Sequence, residues 1–175
     1  GSDALVWDLT DTQGSRFRTA FMHVANTPFG LELSEFFDIP RNERTAQPWD
    51  PGASRLIFAV RDLAAVALSL RAGTAPTVTL GGRPLDTPKG RSLLVRNPDG
   101  YLIEVVQASP TEIAHAASAG VVVRTSIGIT VADTATALAF YRDLLGFVVR
   151  ESRDATNAEL RLNALAAGSI KQTTA

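Results

Sequence analysis

Two stretches of this chain align without a gap. Arg55-Leu-Ile-Phe-Ala-Val-Arg-Asp62 and Ser126-Ile-Gly-Ile-Thr-Val-Ala-Asp133 place Val60 on Val131 and Asp62 on Asp133, 71 positions apart (126 minus 55). Repetition at such a period means copies of one supersecondary unit, so the unit has to be identified before the fold. A helical pattern follows each copy. Leu63, Val66, Ala67 and Leu70 fall at i, i+3, i+4 and i+7, and Leu138, Tyr141, Leu144 and Leu145 trace one face. Asp62 and Asp133 stand where an N-cap carboxylate accepts free backbone N–H groups. Gly73 and Gly146 stand where a left-handed residue ends a helix.

A second echo joins Phe29-Gly-Leu-Glu-Leu-Ser-Glu-Phe36 to Gly100-Tyr-Leu-Ile-Glu-Val-Val106, with Glu32 on Glu104 (104 minus 32 is 72). The later copy is the return arm of a hairpin, out along 91–95, turning at Asn97-Pro-Asp-Gly100 and back along 101–107. Residues 55–107 therefore read as strand, helix, a strand around 76–80, loop, strand, hairpin and strand: one complete βαβββ module. Residues 4–36 carry the later strands of such a module without its opening strand and helix. Residues 125–175 carry the opening strand and helix and a second strand at Phe147-Val-Val-Arg150. The segments 38–52 and 108–120 are connectors, the second alanine-rich and helical in tendency.

Composition narrows the function classes. The chain has 175 residues, 45% hydrophobic and 20% charged, with a net charge of -1, so it can bury a core and offers no basic footprint for nucleic acid. Its apolar runs are strand-sized, far short of the roughly 20 residues of a membrane span. With no cysteine, thiolate catalysis, thiolate metal sites and disulfides are excluded together. The compartment stays open, cytoplasmic by default. Gly1-Ser2-Asp3 lacks the features of a signal peptide, and a leader missing from the sequence is left open.

Val60-Arg-Asp-Leu63, Asn97-Pro-Asp-Gly-Tyr-Leu-Ile-Glu104, Ile127-Gly-Ile-Thr-Val-Ala-Asp133 and Phe140-Tyr-Arg-Asp-Leu-Leu-Gly-Phe147 resemble the vicinal oxygen chelate superfamily of glyoxalase I, extradiol dioxygenases and bleomycin-resistance proteins. The resemblance covers nearly the whole chain. It implies an α+β fold of repeated βαβββ modules whose paired, curled mixed sheets surround a small-molecule cleft. It also implies a divalent metal held by one ligand from each module's first strand, usually His, and one from its last, usually Glu. Carried over, the last-strand positions are Glu32 and Glu104 and the first-strand positions are Arg55 and Ser126. Arginine keeps its proton and cannot ligate a metal, and neutral serine is a poor ligand. A degenerate metal site follows, with no cofactor expected unless a residue such as His23 supplies nitrogen. In the family fold the first and last strands of a module are neighbours, so Arg55 and Glu104 are expected to pair and put a fixed cation where the metal charge was.

Each of these residues has a plainer reading beside the functional one. Glu104 is either a salt-bridged structural carboxylate or a substrate contact. Arg55 is either a solvated strand end after Pro51-Gly-Ala-Ser54 or a clamp for a carboxylate or phosphate. Glu35, at odd spacing from Glu32, points to the opposite face and is expected to be solvated. His23 is a hydrogen-bonded structural residue or a general base, and His115 an exposed residue of a short helix. Tyr101 and Tyr141 are core residues with a polar tip. Gly81-Gly82 and Lys89-Gly90-Arg91-Ser92 have the wrong order for a phosphate loop.

Three functions remain. The first is a glyoxalase, bleomycin-resistance or dioxygenase-like protein acting on a small oxygenated organic molecule; as an enzyme it would be a lyase, isomerase or dioxygenase. The second is a metal-free small-molecule or antibiotic-binding protein in which Glu32, Arg55, Glu104 and Ser126 touch the ligand. The third is an interaction module of a longer four-module chain. The expected partners are a small molecule and, because the two half modules are complementary, another half module. Strand 126–131 is expected beside strand 31–36, within one chain or between two copies in a swapped homodimer. Separate completion of each half by further sequence is the alternative.

Overall fold

The computed structural model describes residues 2–40, 46–87 and 90–149. A helix α1 (Ser2–Thr10) precedes a hairpin of β1 (Arg16–His23) and β2 (Gly30–Phe37). The segment from 54 to 107 then gives β3 (Ser54–Val60), α2 (Leu63–Ala72), a 3-10 turn at Leu80–Gly82, β4 (Leu85–Thr87), β5 (Gly90–Arg96) and β6 (Leu102–Gln107). α3 (Pro110–His115), β7 (Val122–Ile129) and α4 (Thr134–Leu138), which runs into a π-helical turn at Ala139–Leu144, complete the described elements.

Local chemistry sets the element boundaries. Asp62 and Asp133 accept from Ala65 N and Thr136 N, capping α2 and α4, each worth about 1 kcal/mol. Ser109 and Glu112 bond reciprocally across the start of α3, with Pro110 at its first turn. In the 97–100 turn, Asn97 Oδ1 accepts from Asp99 N and Tyr101 N. Gly146 is left-handed, at φ 71. Gly73 is not: its φ is -79, and the left-handed residue after α2 is Thr74, at φ 58. The strand expected near 76–80 is reduced to a single bridge between Thr77 and Val95. No strand forms over 147–149, and Arg150 with the rest of the closing segment to 175 lies outside the described residues.

The sheets correct the expectation of paired, curled sheets around a cleft. Among the described residues there are two separate sheets, β1-β2 and β4-β5-β6-β3-β7, and neither closes on itself. Among the described residues β2 pairs only with β1, and β7 only with β3. The intrachain pairing of 126–131 with 31–36 is therefore not made. The hairpin is instead pinned by its tip: Asn26, left-handed at φ 64, donates to Val122 O at 2.8 Å and accepts from Ser118 N at 2.6 Å, and Ala25 lies against Gly120.

The core lies between α2 and one face of the five-stranded sheet. Val60, Leu63, Ala67, Leu93, Val95 and Val105 are buried there, with Phe58, Val66, Leu70 and Ile103 around them. Burying a side chain such as Leu63, at 2% exposure, contributes about 1.5–3 kcal/mol. A smaller cluster of Ala59, Ala108 and Val123, flanked by Ile113 and Ala116, seats α3. By contrast the second motif copy is poorly covered: Ile127, Ile129, Phe140, Leu144 and Phe147 are all exposed.

Candidate functional site

β3 runs parallel to β6 with Arg55 opposite Leu102 and Ile57 opposite Glu104, and antiparallel to β7 with Arg55 opposite Gly128 and Ile57 opposite Ser126. Strand alternation then puts Arg55, Ile57, Glu104, Ser126 and Gly128 on one face, the one turned away from α2. Buried Leu94, Leu102 and Val106 share that face.

Arg55 and Glu104 form an ion pair there. Arg55 Nε donates to Glu104 Oε2 at 2.7 Å, with side-chain exposures of 30% and 24%. A half-sheltered, charge-assisted bond of this kind is stronger than a surface pair, and it leaves the other nitrogens of the guanidinium available. Among the described residues neither Nη atom of Arg55 has a hydrogen-bond partner. The guanidinium also lies close over β7: a Cβ at Gly128 would stand 2.9 Å from Arg55 Cζ and 3.1 Å from Nη1. Glycine at 128 is therefore what lets a planar cation lie across the sheet, a role that the motif alignment alone did not single out.

Ser126 sits on the same face without touching the pair. Its Oγ is 3.3 Å from Arg124 Nη1, and Arg124 Nε donates to Glu112 at 2.7 Å. Arg124 and the Ser109 backbone N–H draw the Glu112 carboxyl down to about 2. Glu32 is elsewhere, on β2 of the two-stranded sheet, exposed and accepting from Ser34 Oγ at 3.0 Å. Glu35 pairs with Arg18 at 2.6 Å. His23 ends β1, exposed and opposite Gly30, in the same separate sheet. His115 Nδ1 lies 2.8 Å from Thr111 O in α3. Tyr101 is exposed and its hydroxyl meets Ser54 Oγ at 2.8 Å, so it is not a core residue.

The metal that the resemblance implies does not fit these residues. A permanently protonated guanidinium occupies the side of Glu104 where a cation would bind, and His23 and Glu32 stand in another sheet. No group of three or more His, Cys, Asp or Glu able to hold an ion occurs among the described residues. A groove of about 550 Å³ lies apart from the pair, between α2 and 119–121, lined by Asp62, Val66, Leu70 and Val121. Among the described lining residues the cation, Arg61, is engaged by the carbonyls of Ile113, Ser118 and Gly120, and Asp62 caps α2, so the groove offers mainly apolar surface. The Arg55 face carries the available charge chemistry.

No helix among the described residues is long and apolar enough to cross a membrane. Comparison with family models, with curated proteins and with solved structures finds no match to this chain.

Proposed function

We propose that this chain is a glyoxalase/bleomycin-resistance-like module that binds a small oxygenated organic anion without a metal, on the sheet face that carries Arg55 and Glu104. The observation behind this reading is the division of labour within Arg55: Nε is held by Glu104, which fixes the plane of the guanidinium, while both Nη atoms have no partner among the described residues. A guanidinium so oriented presents two N–H groups to a carboxylate or phosphate oxygen pair at little entropic cost. Buried Leu94 and Leu102 supply the apolar surroundings that strengthen such a contact, and Ser126 offers a hydroxyl on the same face. Binding rather than bond-making is favoured because, among the described residues, no histidine stands beside the pair and the Glu104 carboxylate is taken up by Arg55: His23 and His115 both lie on other elements.

The test is thermal unfolding with pyruvate, lactate, inorganic phosphate and neutral glycerol as probes. A ligand at a hundredfold excess over its Kd adds about 2.7 kcal/mol to stability. A melting rise with at least one anion, absent with glycerol and lost in Arg55→Gln/Glu104→Gln, supports the reading. An equal rise in that variant, or no rise with any anion, overturns it.

A further inference from the structure

We propose that the Arg55 face takes a linear dicarboxylate, with one carboxylate on Arg55, the other on Arg124 and the Ser126 hydroxyl between them. The inference rests on the reading of that face as an anion site and names the class of anion it selects.

The second guanidinium repeats the design of the first. Arg124 lies on β7 opposite Ala59, so it shares a face with Ser126, Gly128 and Arg55. Its Nε donates to Glu112 of α3 at 2.7 Å, as Arg55 Nε donates to Glu104 at 2.7 Å. In each case a carboxylate from a neighbouring element fixes the fork at its Nε edge and leaves the Nη end for another acceptor. Arg124 Nη1 stands 3.3 Å from Ser126 Oγ, and among the described residues Nη2 has no hydrogen-bond partner. With its side chain 49% exposed, Arg124 is within reach of a ligand.

Strand geometry sets the distance between the two forks. The Arg55 guanidinium lies against Gly128, where a Cβ would be 2.9 Å from Cζ, and Arg124 Nη1 meets Ser126. Residues 126 and 128 are separated by two strand steps, about 7 Å. Each arginine is already paired with one carboxylate, so a single further anion is held weakly and two contacts made at once decide affinity. A monocarboxylate meets one fork and leaves the other empty. The carboxylates of malonate share one carbon and are too close together to meet both, whereas the longer chain of glutarate spans the gap. Ile57, half-buried and opposite Ser126 on the same face, gives that chain an apolar bed, and Ser126 Oγ lies where it can donate to a carboxylate. Beyond Arg124 the face is closed by α3, seated on Ala59 and Val123.

Calorimetric titration at fixed ionic strength compares glutarate with malonate and with butyrate, a monocarboxylate of similar length. Glutarate should bind at least about tenfold more tightly than either, the ratio that one further charge-assisted contact provides. In Arg124→Gln/Glu112→Gln, which removes the second fork without stranding its carboxylate, glutarate should fall to the level of butyrate while butyrate is unchanged. Equal affinity for glutarate and butyrate, or for glutarate and malonate, in the unaltered protein would overturn the dicarboxylate assignment and leave an anion site at Arg55 standing; that comparison needs no variant to fold. A glutarate preference that survives in the double variant would overturn the role of Arg124. Binding of none of the three would sink this inference together with the anion site on which it rests.

Discussion

Removing Arg55 should harm the protein more than removing Arg55 and the Glu104 charge together. Two unit charges about 4 Å apart interact by about 1 kcal/mol in water and about 4 kcal/mol at an effective dielectric constant near 20. With 30% and 24% of the two side chains exposed, the pair falls between a surface bridge and a buried one. Losing one partner costs about 0.2–1 kcal/mol at the first limit and about 3–5 kcal/mol at the second. We place Arg55→Ala at about 2 kcal/mol, because it leaves the Glu104 carboxylate among Leu94, Leu102 and Val106 with no counter-charge. Arg55→Ala/Glu104→Gln should cost only about 1 kcal/mol, since the amide has no charge to strand. Urea unfolding reads the difference: at a slope of about 2 kcal/mol per molar, the single variant should move the midpoint by about 1 M and the double by about half that. Protein concentration must be held fixed, since any association adds to apparent stability. Losses that simply add, with the double variant worse than the single, would refute a sheltered pair and describe a solvated one.

Two further outcomes follow from the same face. Gly128→Ala, which would normally favour a strand, should destabilise by about 1 kcal/mol because its Cβ meets the Arg55 guanidinium, and should become neutral or stabilising in an Arg55→Ala background; destabilisation of equal size in both backgrounds would refute the contact. Glu112 titrates at about 2 in the fold against an ordinary 4.5, so its contribution is fully present above about pH 4.5 and fades as pH falls toward 2. Because the side chain is a third exposed, that contribution is about 1 kcal/mol or less, and the stability gap between the protein and Glu112→Gln should narrow over that window; a gap unchanged down to pH 2.5 would refute the linkage.

How much of this was legible beforehand depended on whether the signal was local. The Asp62 and Asp133 caps and the Asn97 turn follow from short-range chemistry, whereas the Arg55–Glu104 neighbourhood was expected only from what the family resemblance implies about strand order. The pairing of the two sheets did not follow, because hydrophobic alternation fixes which face of β2 or β7 is buried but not which edge it meets. Leu31, Leu33 and Ile127 alternate as well in a separate hairpin as in a continuous sheet. Gly128 was invisible for a related reason: its role depends on a cross-strand register that no single strand encodes. Phe147 to Val149 read as a strand on composition, yet strand formation needs a neighbour to pair with, and among the described residues none is beside it.

The central proposal is that a fixed cation, Arg55, takes the place of the metal ion that the resemblance to the vicinal oxygen chelate superfamily implies. Elemental analysis of protein purified without chelators, with melting temperature measured before and after EDTA, tests it most directly. The account predicts far less than one equivalent of zinc, iron, nickel or manganese per chain, and a melting temperature that EDTA leaves unchanged. One equivalent of any of these metals, together with a lower melting temperature after its removal, would contradict it.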